Sequence, residues 1–200
     1  MLVLPNWIGV LMLRITGGVF RGRTLQTLAG QNTRPTQAKL RQALFNSVQT
    51  QLSQATVLDL FAGSGALGFE ALSRGASEVV FVESSRAALQ VIEANAEALE
   101  VENRIHIVGG SVESVSTPLA RFAPFDLVLA DPPYEENWEM KLLTTLPWGE
   151  LLNEGGRFCL EWGLRKSAVT NLPDRVPFLE KIREKNYGDS VLTTYTKGAK

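Results

Sequence analysis

Three observations in this 200-residue chain predict a doubly wound α/β fold built on a mostly parallel sheet. From residue 56 onward, short β-prone runs alternate with stretches of helical periodicity, which implies parallel strands covered on both faces. A glycine-rich loop at Gly63, Gly65 and Gly68 follows the first of those runs. The chain closes on two β-prone runs near 177–186 and 190–196, joined at Tyr187-Gly188-Asp189, which read as an antiparallel hairpin. A sheet of six or seven strands on this plan binds its ligand beyond the strands' carboxyl ends, near the point where strand order reverses.

The apolar start MLVLPNWIGVLML has no basic leader and no small-residue cleavage site, and it contains Pro5. It is too short for a bilayer span of about 20 residues, so neither a signal peptide nor a membrane anchor is expected. Met12 opens a fresh segment, so residues 1–11 are expected to be an extension, 12–53 an N-terminal hairpin-plus-helix unit, and 54–200 the main domain. Residues 13–28 hold two β-prone runs around Gly17-Gly18, the pattern of a hairpin. After a polar loop at 31–35 a helix begins at Thr36, with Leu40, Leu44, Val48 and Leu52 repeating every four residues. Strands are expected at 56–60, 78–83, 105–108, 125–130 and 157–162, with helices at about 65–74, 85–99, 113–121 and 137–146.

Charge is unevenly spread. Residues 1–58 hold Arg14, Arg21, Arg23, Arg34, Lys39 and Arg41 and no acid, a charge of +6, whereas the remainder carries −7. A cationic front end on an acidic body suggests a polyanion met by the front end, and these six residues are its expected contacts. The single cysteine, Cys159, lies in an apolar run and reads as a structural thiol; the single histidine, His106, reads as a strand residue on a polar face. One of each excludes an intrachain disulfide and a His/Cys zinc site, and no metal is expected.

Gly63, Gly65 and Gly68 satisfy GxGxxG, with Glu83 ending the next strand 18 residues after Gly65. Alone, this fits a nicotinamide dinucleotide fingerprint. Other features favour S-adenosylmethionine. Asp59, before the loop, suits a cationic amino group and would repel a pyrophosphate. The turn from Asp59 to Gly63 is wide, and neither a second mononucleotide half nor a hydride-transfer acid or base is evident. The methionine carboxylate is expected at the helix N-terminus and the ribose hydroxyls at Glu83.

The run FDLVLA at 125–130 delivers Asp131-Pro132-Pro133-Tyr134 to the same edge. An exocyclic base amine is a poor nucleophile because its lone pair is delocalised into the ring. Two acceptors aimed at its N–H bonds help it pyramidalise. The Asp131 carboxylate is one, and the Pro132 carbonyl, held by the fixed φ of the prolines, is the second. Tyr134 offers a flat face on which the base stacks. These four are the expected catalytic residues.

The blocks RITGGVFRGRTL, RPTQAKLRQALFNSV, DLFAGSGALGFEALSRGA, VFVE and DPPY, spread over about 13–196, together resemble the bacterial 16S ribosomal RNA guanine-N2 methyltransferases (RsmD-like). The resemblance implies a seven-stranded Rossmann-like class I S-adenosylmethionine-dependent methyltransferase. It implies transfer to N2 of a guanine in small-subunit rRNA, within a subunit-assembly intermediate, by a cytoplasmic monomer. It also places Arg34-Pro35-Thr36 and the basic hairpin near the cofactor pocket and the RNA entrance, which makes RNA the polyanion that the six front-end cations meet. The family's adenine-reading acidic or amide position falls on Ser111 here, and Gln37-Ala38-Lys39 and Arg41-Gln42 depart from its usual pattern. The expected cofactor set is Asp59, Phe61, Ala62, Gly63, Ser64, Gly65, Glu83, Ser84, Ser111 and Asp131. The same motif also serves DNA adenine-N6 and protein glutamine-N5 methylation, and a non-catalytic RNA-binding assembly factor is a third reading.

Overall fold

The computed structural model describes residues 12–28, 35–133, 137–164 and 170–198; residues 1–11, Arg34 and Tyr134 lie outside the described residues. The hairpin forms from β1 (Met12–Arg14) and β2 (Thr24–Gln26), with Leu13 opposite Leu25. Ile15 extends the pairing to Gly22 and Arg23, and turns from Gly18 to Arg21 and from Phe20 to Arg23 close the end. Residues 17–20 dock on the C-terminal end of helix α2 (Ala66–Ser73). Val19 N–H donates to the Ser73 carbonyl at 2.7 Å, Ser73 Oγ donates to the Gly17 carbonyl at 2.5 Å, and Phe20 N–H donates to Ser73 Oγ at 2.9 Å. Gly18 has φ +77°, and a Cβ there would stand 1.8 Å from the Ser73 carbonyl oxygen, so the close approach requires glycine.

Helix α1 (Pro35–Ser47) follows, then a 3₁₀ turn at Gln49–Gln51. The expected stripe of Leu40, Leu44, Val48 and Leu52 is buried throughout, although the α-helix itself stops at Ser47. Its apolar face packs with Ile15, Leu25, Phe69 and Val57 in one core cluster. Hairpin, α1 and sheet therefore share a hydrophobic core.

The main sheet contains β3 (Thr56–Leu60), β4 (Glu78–Glu83), β5 (Ile105–Gly109), β6 (Phe125–Ala130), β7 (Leu152–Gly163), β8 (Arg175–Val176), β9 (Leu179–Tyr187) and β10 (Ser190–Lys197). Its order is β5-β4-β3-β6-β7-β10-β9-β8. Pairings from β5 to β7 are parallel; those joining β7, β10, β9 and β8 are antiparallel. The expected closing hairpin is β9–β10. Eight strands replace the expected seven because the two-residue β8 pairs with β9, too short to leave a periodic signal. Strand β7 starts five residues before the expected 157, since the register against β6 slips between Phe125 and Leu127 and Asn153 to Gly156 bulge out. Gly155 adopts φ +73° in that bulge.

Strands β3, β4 and β6 are buried on both faces, as a parallel sheet under helices demands. Along them residues alternate between two cores: Val57, Val79, Phe81, Leu127 and Leu129 face the front-end unit, while Leu58, Val80, Val82 and Val128 face the other side. The connecting helices are α3 (Arg86–Leu99), α4 (Ser116–Leu119), α5 (Trp138–Thr145) and the unforeseen α6 (Trp148–Leu151). The last is pinned by Trp148 Nε1–H to the Leu142 carbonyl at 3.0 Å. Helix α4 is shorter than the expected 113–121. Strand order reverses between β3 and β6, so their carboxyl ends lie side by side with Leu60 opposite Ala130.

Candidate active site

The reversal sets the loop after β3 beside Asp131, which follows β6. The β3–α2 loop is fixed mostly by its own backbone and two carboxylates. Ala62 N–H donates to the Val82 carbonyl at 3.0 Å, Gly63 N–H to Glu83 Oε2 at 2.8 Å, Gly65 N–H to the Ala62 carbonyl at 2.7 Å, and Gly68 N–H to Asp59 Oδ2 at 2.8 Å. Gly65 sits at φ +79°, and a Cβ on Gly68 would reach 2.2 Å from the Phe81 ring, so the third glycine lets α2 close on β4. Asn95 of α3 ties the loop to the front end: its amide donates to the carbonyls of Ser64 and Gln26, both at 3.0 Å, and its Oδ1 accepts from Gln26 N–H at 2.8 Å.

Two adjoining clefts open at this edge. The first, of about 230 Å³, is lined by Leu40, Arg41, Asp59, Ser64, Asp131 and Glu161 among others, including Phe61, Ala62 and Gly63. The second, of about 170 Å³, is lined by Glu83, Ser84, Ser111, Val112, Pro133 and Trp138. Phe61 borders both, held at φ +59° with its ring edge-on to Trp138 at 4.9 Å. A strained non-glycine residue at this position is the kind of feature that concentrates at binding sites. Nine of the ten expected cofactor residues line these clefts, and Gly65 shapes the loop from within.

The donor set fits S-adenosylmethionine. One cleft joins carboxylates with a guanidinium, suited to a zwitterionic amino-acid end. The other joins Glu83 and two serine hydroxyls with flat apolar groups, suited to a nucleoside. Each Glu83 oxygen already accepts one backbone N–H, from Gly63 at 2.8 Å and from Ser85 at 2.7 Å, so the carboxylate is aimed before any ribose arrives.

Carboxylates dominate the electrostatics. Burial raises the Asp59 carboxyl to about 7 and Glu83 adds to the rise, against the Gly68 N–H, which lowers it. Asp131 is also raised well above the usual carboxylate range, first by burial of its carboxyl, then by Glu161 and Asp59. The residue as a whole is exposed, so water in the cleft screens part of that effect. Pro132 is buried and Pro133 exposed beside Asp131.

The front-end cations do not share one environment. Arg14, Arg21, Arg23 and Lys39 are exposed. Arg23 reaches the Ala98 carbonyl near the end of α3, and Arg14 donates to the Gly22 carbonyl at 3.1 Å. The basic hairpin lies at the pocket through its strands, since Leu13 of β1 and Thr27 just after β2 line the first cleft, whereas its connecting loop docks at the far end of α2, about 12 Å from the glycine loop by helix rise. Arg41 also departs from a solvated contact. It is 6% exposed, donates Nη2–H to the Arg14 carbonyl at 2.8 Å, and lies with Nε 3.6 Å from the fully buried Glu70.

Sequence reasoning missed Glu161, Asn95, Trp138 and the inward face of Arg41. Each is placed by a neighbouring element and belongs to no local motif. Glu161 stands on β7 beside Asp131 because Ala130 pairs with Leu160. Cys159 is buried, with burial raising its thiol to about 12, as suits a structural thiol. His106 is exposed and faces Glu78 at 3.2 Å, away from the clefts. Among the described residues no cluster of His, Cys, Asp and Glu is arranged to hold a metal, and no helix is long and apolar enough to cross a membrane.

Known proteins of similar sequence and shape agree with this layout. The chain is 33% identical over 186 residues, 92% of its length and 99% of the relative's, to the Bacillus subtilis protein named "Putative rRNA methyltransferase YlbH". It is 36% identical over 165 residues, 79% of its length and 82% of the relative's, to "Ribosomal RNA small subunit methyltransferase D" of Haemophilus influenzae. The solved structure titled "Putative methyltransferase yhhF from Escherichia coli" superposes with a TM-score of 0.82 at 30% identity, over 94% of this chain and 99% of that one. The fold is thus the class I methyltransferase fold. The model of the family described as conserved hypothetical protein 95 matches residues 13–196. That span runs from β1 to β10 and takes in every element that lines the clefts, so the chain as a whole belongs to the conserved hypothetical protein 95 family.

Proposed function

We propose that this protein transfers a methyl group from S-adenosylmethionine to the N2 amine of a guanine in small-subunit ribosomal RNA. The observation that carries the reading is the convergence of Asp131-Pro132-Pro133 with the Asp59-to-Gly65 loop at the reversal point of the sheet. The names of the relatives support rRNA of the small subunit as the acceptor.

S-adenosylmethionine, when bound, supplies an electrophilic sulfonium methyl. The chain's own residues do the rest. Asp59 faces the amino-acid end and Glu83 the ribose, which orients the donor along the sheet edge. Val112, Pro133 and Trp138 give the adenine flat apolar contacts, and Ser111 offers the polar one. Asp131 and the Pro132 carbonyl accept the two N–H bonds of the target amine and turn its lone pair toward the methyl, a positioning effect. The methylated amine carries a proton it must lose. Asp131, its carboxyl raised by burial and by Glu161, is placed to take that proton. Arg14 and Lys39 offer phosphate contacts on the front-end unit, with Arg21 and Arg23 extending the basic face toward the far end of α2.

The test is incubation of labelled donor with undermodified small subunits, naked 16S rRNA, DNA and release factor, followed by identification of the labelled atom. Label on guanine N2 of the small-subunit RNA is expected. Label on adenine N6 or glutamine N5 would replace the acceptor assignment, and no label on any substrate would favour a non-catalytic assembly factor.

A further inference from the structure

We propose that Arg41 is the residue that binds the carboxylate of the donor's amino-acid end, so that α1 completes the cofactor site of the main domain. This inference rests on the reading of the site as one for S-adenosylmethionine. Three observations carry it.

The glycine loop offers a carboxylate backbone N–H groups at Ser64, Ala66 and Leu67 in the cleft lining, but no countercharge. The N–H groups of Ala62, Gly63, Gly65 and Gly68 are all committed, to Val82, Glu83, Ala62 and Asp59. Those four cannot serve the carboxylate, so what the loop supplies is neutral and a charged partner must come from another element.

The first cleft is acidic except at one point. Asp59, Asp131 and Glu161 line it, and among the described residues Arg41 is the one cation in its lining. A zwitterion seated with its ammonium on Asp59 meets a matching charge for its carboxylate, within that lining, at Arg41.

Arg41 also has capacity for an anion. Glu70, fully buried, faces both Arg41 Nε at 3.6 Å and Arg74 Nε at 2.7 Å. One carboxylate therefore balances two guanidinium groups, and the other acceptors of Arg74 are the neutral Thr16, Asn46 and Gln49. Arg41 Nε is buried with no hydrogen-bond partner, although the side chain is more than nine-tenths enclosed. Its charge is disfavoured by burial, favoured by Glu70 and disfavoured by Arg74, and an incoming carboxylate adds to the favourable side. The enclosure also selects the ligand: a cleft of about 230 Å³ admits the end of a small molecule more readily than a nucleic-acid backbone.

The experiment is calorimetric titration of the full chain with S-adenosylhomocysteine and with its decarboxylated counterpart. Wild type should prefer the carboxylated ligand by about tenfold to a hundredfold, the range of one charge-assisted contact. Arg41→Gln should bind the two ligands almost equally, through weaker binding of the carboxylated one alone. Glu70 keeps Arg74 and Thr16 in that variant, so the fold has a compensated carboxylate. Should Arg41→Gln fail to fold, Arg41→Lys carries the test, since a point charge without the planar fork should show a reduced preference. An undiminished preference in the variant that folds overturns the inference. So does a variant that keeps the preference but loses RNA affinity, which would make Arg41 a phosphate contact. Failure of wild type to bind either ligand would instead refute the donor assignment itself.

Discussion

The front-end unit and the carboxyl edge of the sheet handle charge in opposite ways. At the sheet edge, Asp59, Glu83, Asp131 and Glu161 lie where β3, β4, β6 and β7 deliver them, and all four border the two clefts. In the front end, side chains of one charge go to unlike places. Lys39 is exposed, Arg41 two residues later is buried against Glu70, and Arg21 sits in a loop docked at the far end of α2. A strand end in a parallel sheet has one destination, whereas a helix or loop on the outside takes its orientation from whatever it packs against. A count of charges therefore locates a surface but does not assign its members.

Four experiments probe this contrast. The largest effect is expected at the sheet edge. Asp131→Ala should slow single-turnover methyl transfer about 10²–10³-fold, the usual loss when a preorganised polar partner of the reacting group is removed. Affinity for S-adenosylhomocysteine should stay within a few-fold, and a variant that keeps near-normal rate would remove Asp131 from the chemistry. Next comes the docking of the front end. Gly18→Ala forces a Cβ against the Ser73 carbonyl at a φ of +77° and should destabilise the fold by about 2 kcal/mol in urea titrations. An unchanged midpoint would mean the loop is only loosely tethered.

A third effect is in pH. The free Asp59 carboxyl, raised to about 7, is neutral below that pH, and only its ionised form pairs with the donor's ammonium. Affinity for S-adenosylhomocysteine should therefore fall as pH drops below about 7, by at most about tenfold per unit for one proton. Asp59→Asn should bind weakly with that slope gone; a slope that persists assigns the proton elsewhere. For stability the sign reverses: a raised carboxyl favours the fold when neutral, and that contribution is full below the ordinary 3.8 and is lost as pH rises from there to about 7. The smallest effect is expected from Arg21→Glu combined with Arg23→Glu. RNA binding should weaken, and the slope of affinity against salt should shallow by about one for each phosphate no longer neutralised. An unaltered salt slope would take the far end of the basic face out of the interface.

Much of this was legible in the residues. The alternation of strand and helix after residue 56, the GxGxxG loop, Glu83 at the end of the next strand and Asp131-Pro132-Pro133 all stand where the pattern places them. Such features are local, because strand period and turn chemistry are written in adjacent residues. What was illegible depends on contacts between distant segments. Glu161 joins the cleft through the pairing of β6 with β7, and Asn95 braces the glycine loop from a helix that passes between loop and hairpin. The loop of the basic hairpin, with Arg21, is held at the far end of α2 while Leu13 and Thr27 line the cleft, because Gly18 allows that loop to close on Ser73, a partner more than fifty residues away.

The α/β class, the two motifs of the reaction edge and the sign of each region's charge were set by the amino-acid sequence alone, since these follow from spacing and side-chain chemistry. The folded arrangement was needed to establish which carboxylates meet, that Phe61 borders both clefts, and that Arg41 faces inward. The reason is physical: desolvation and packing act on whatever the folded chain brings within a few ångströms, and that proximity is a property of topology rather than of sequence neighbours.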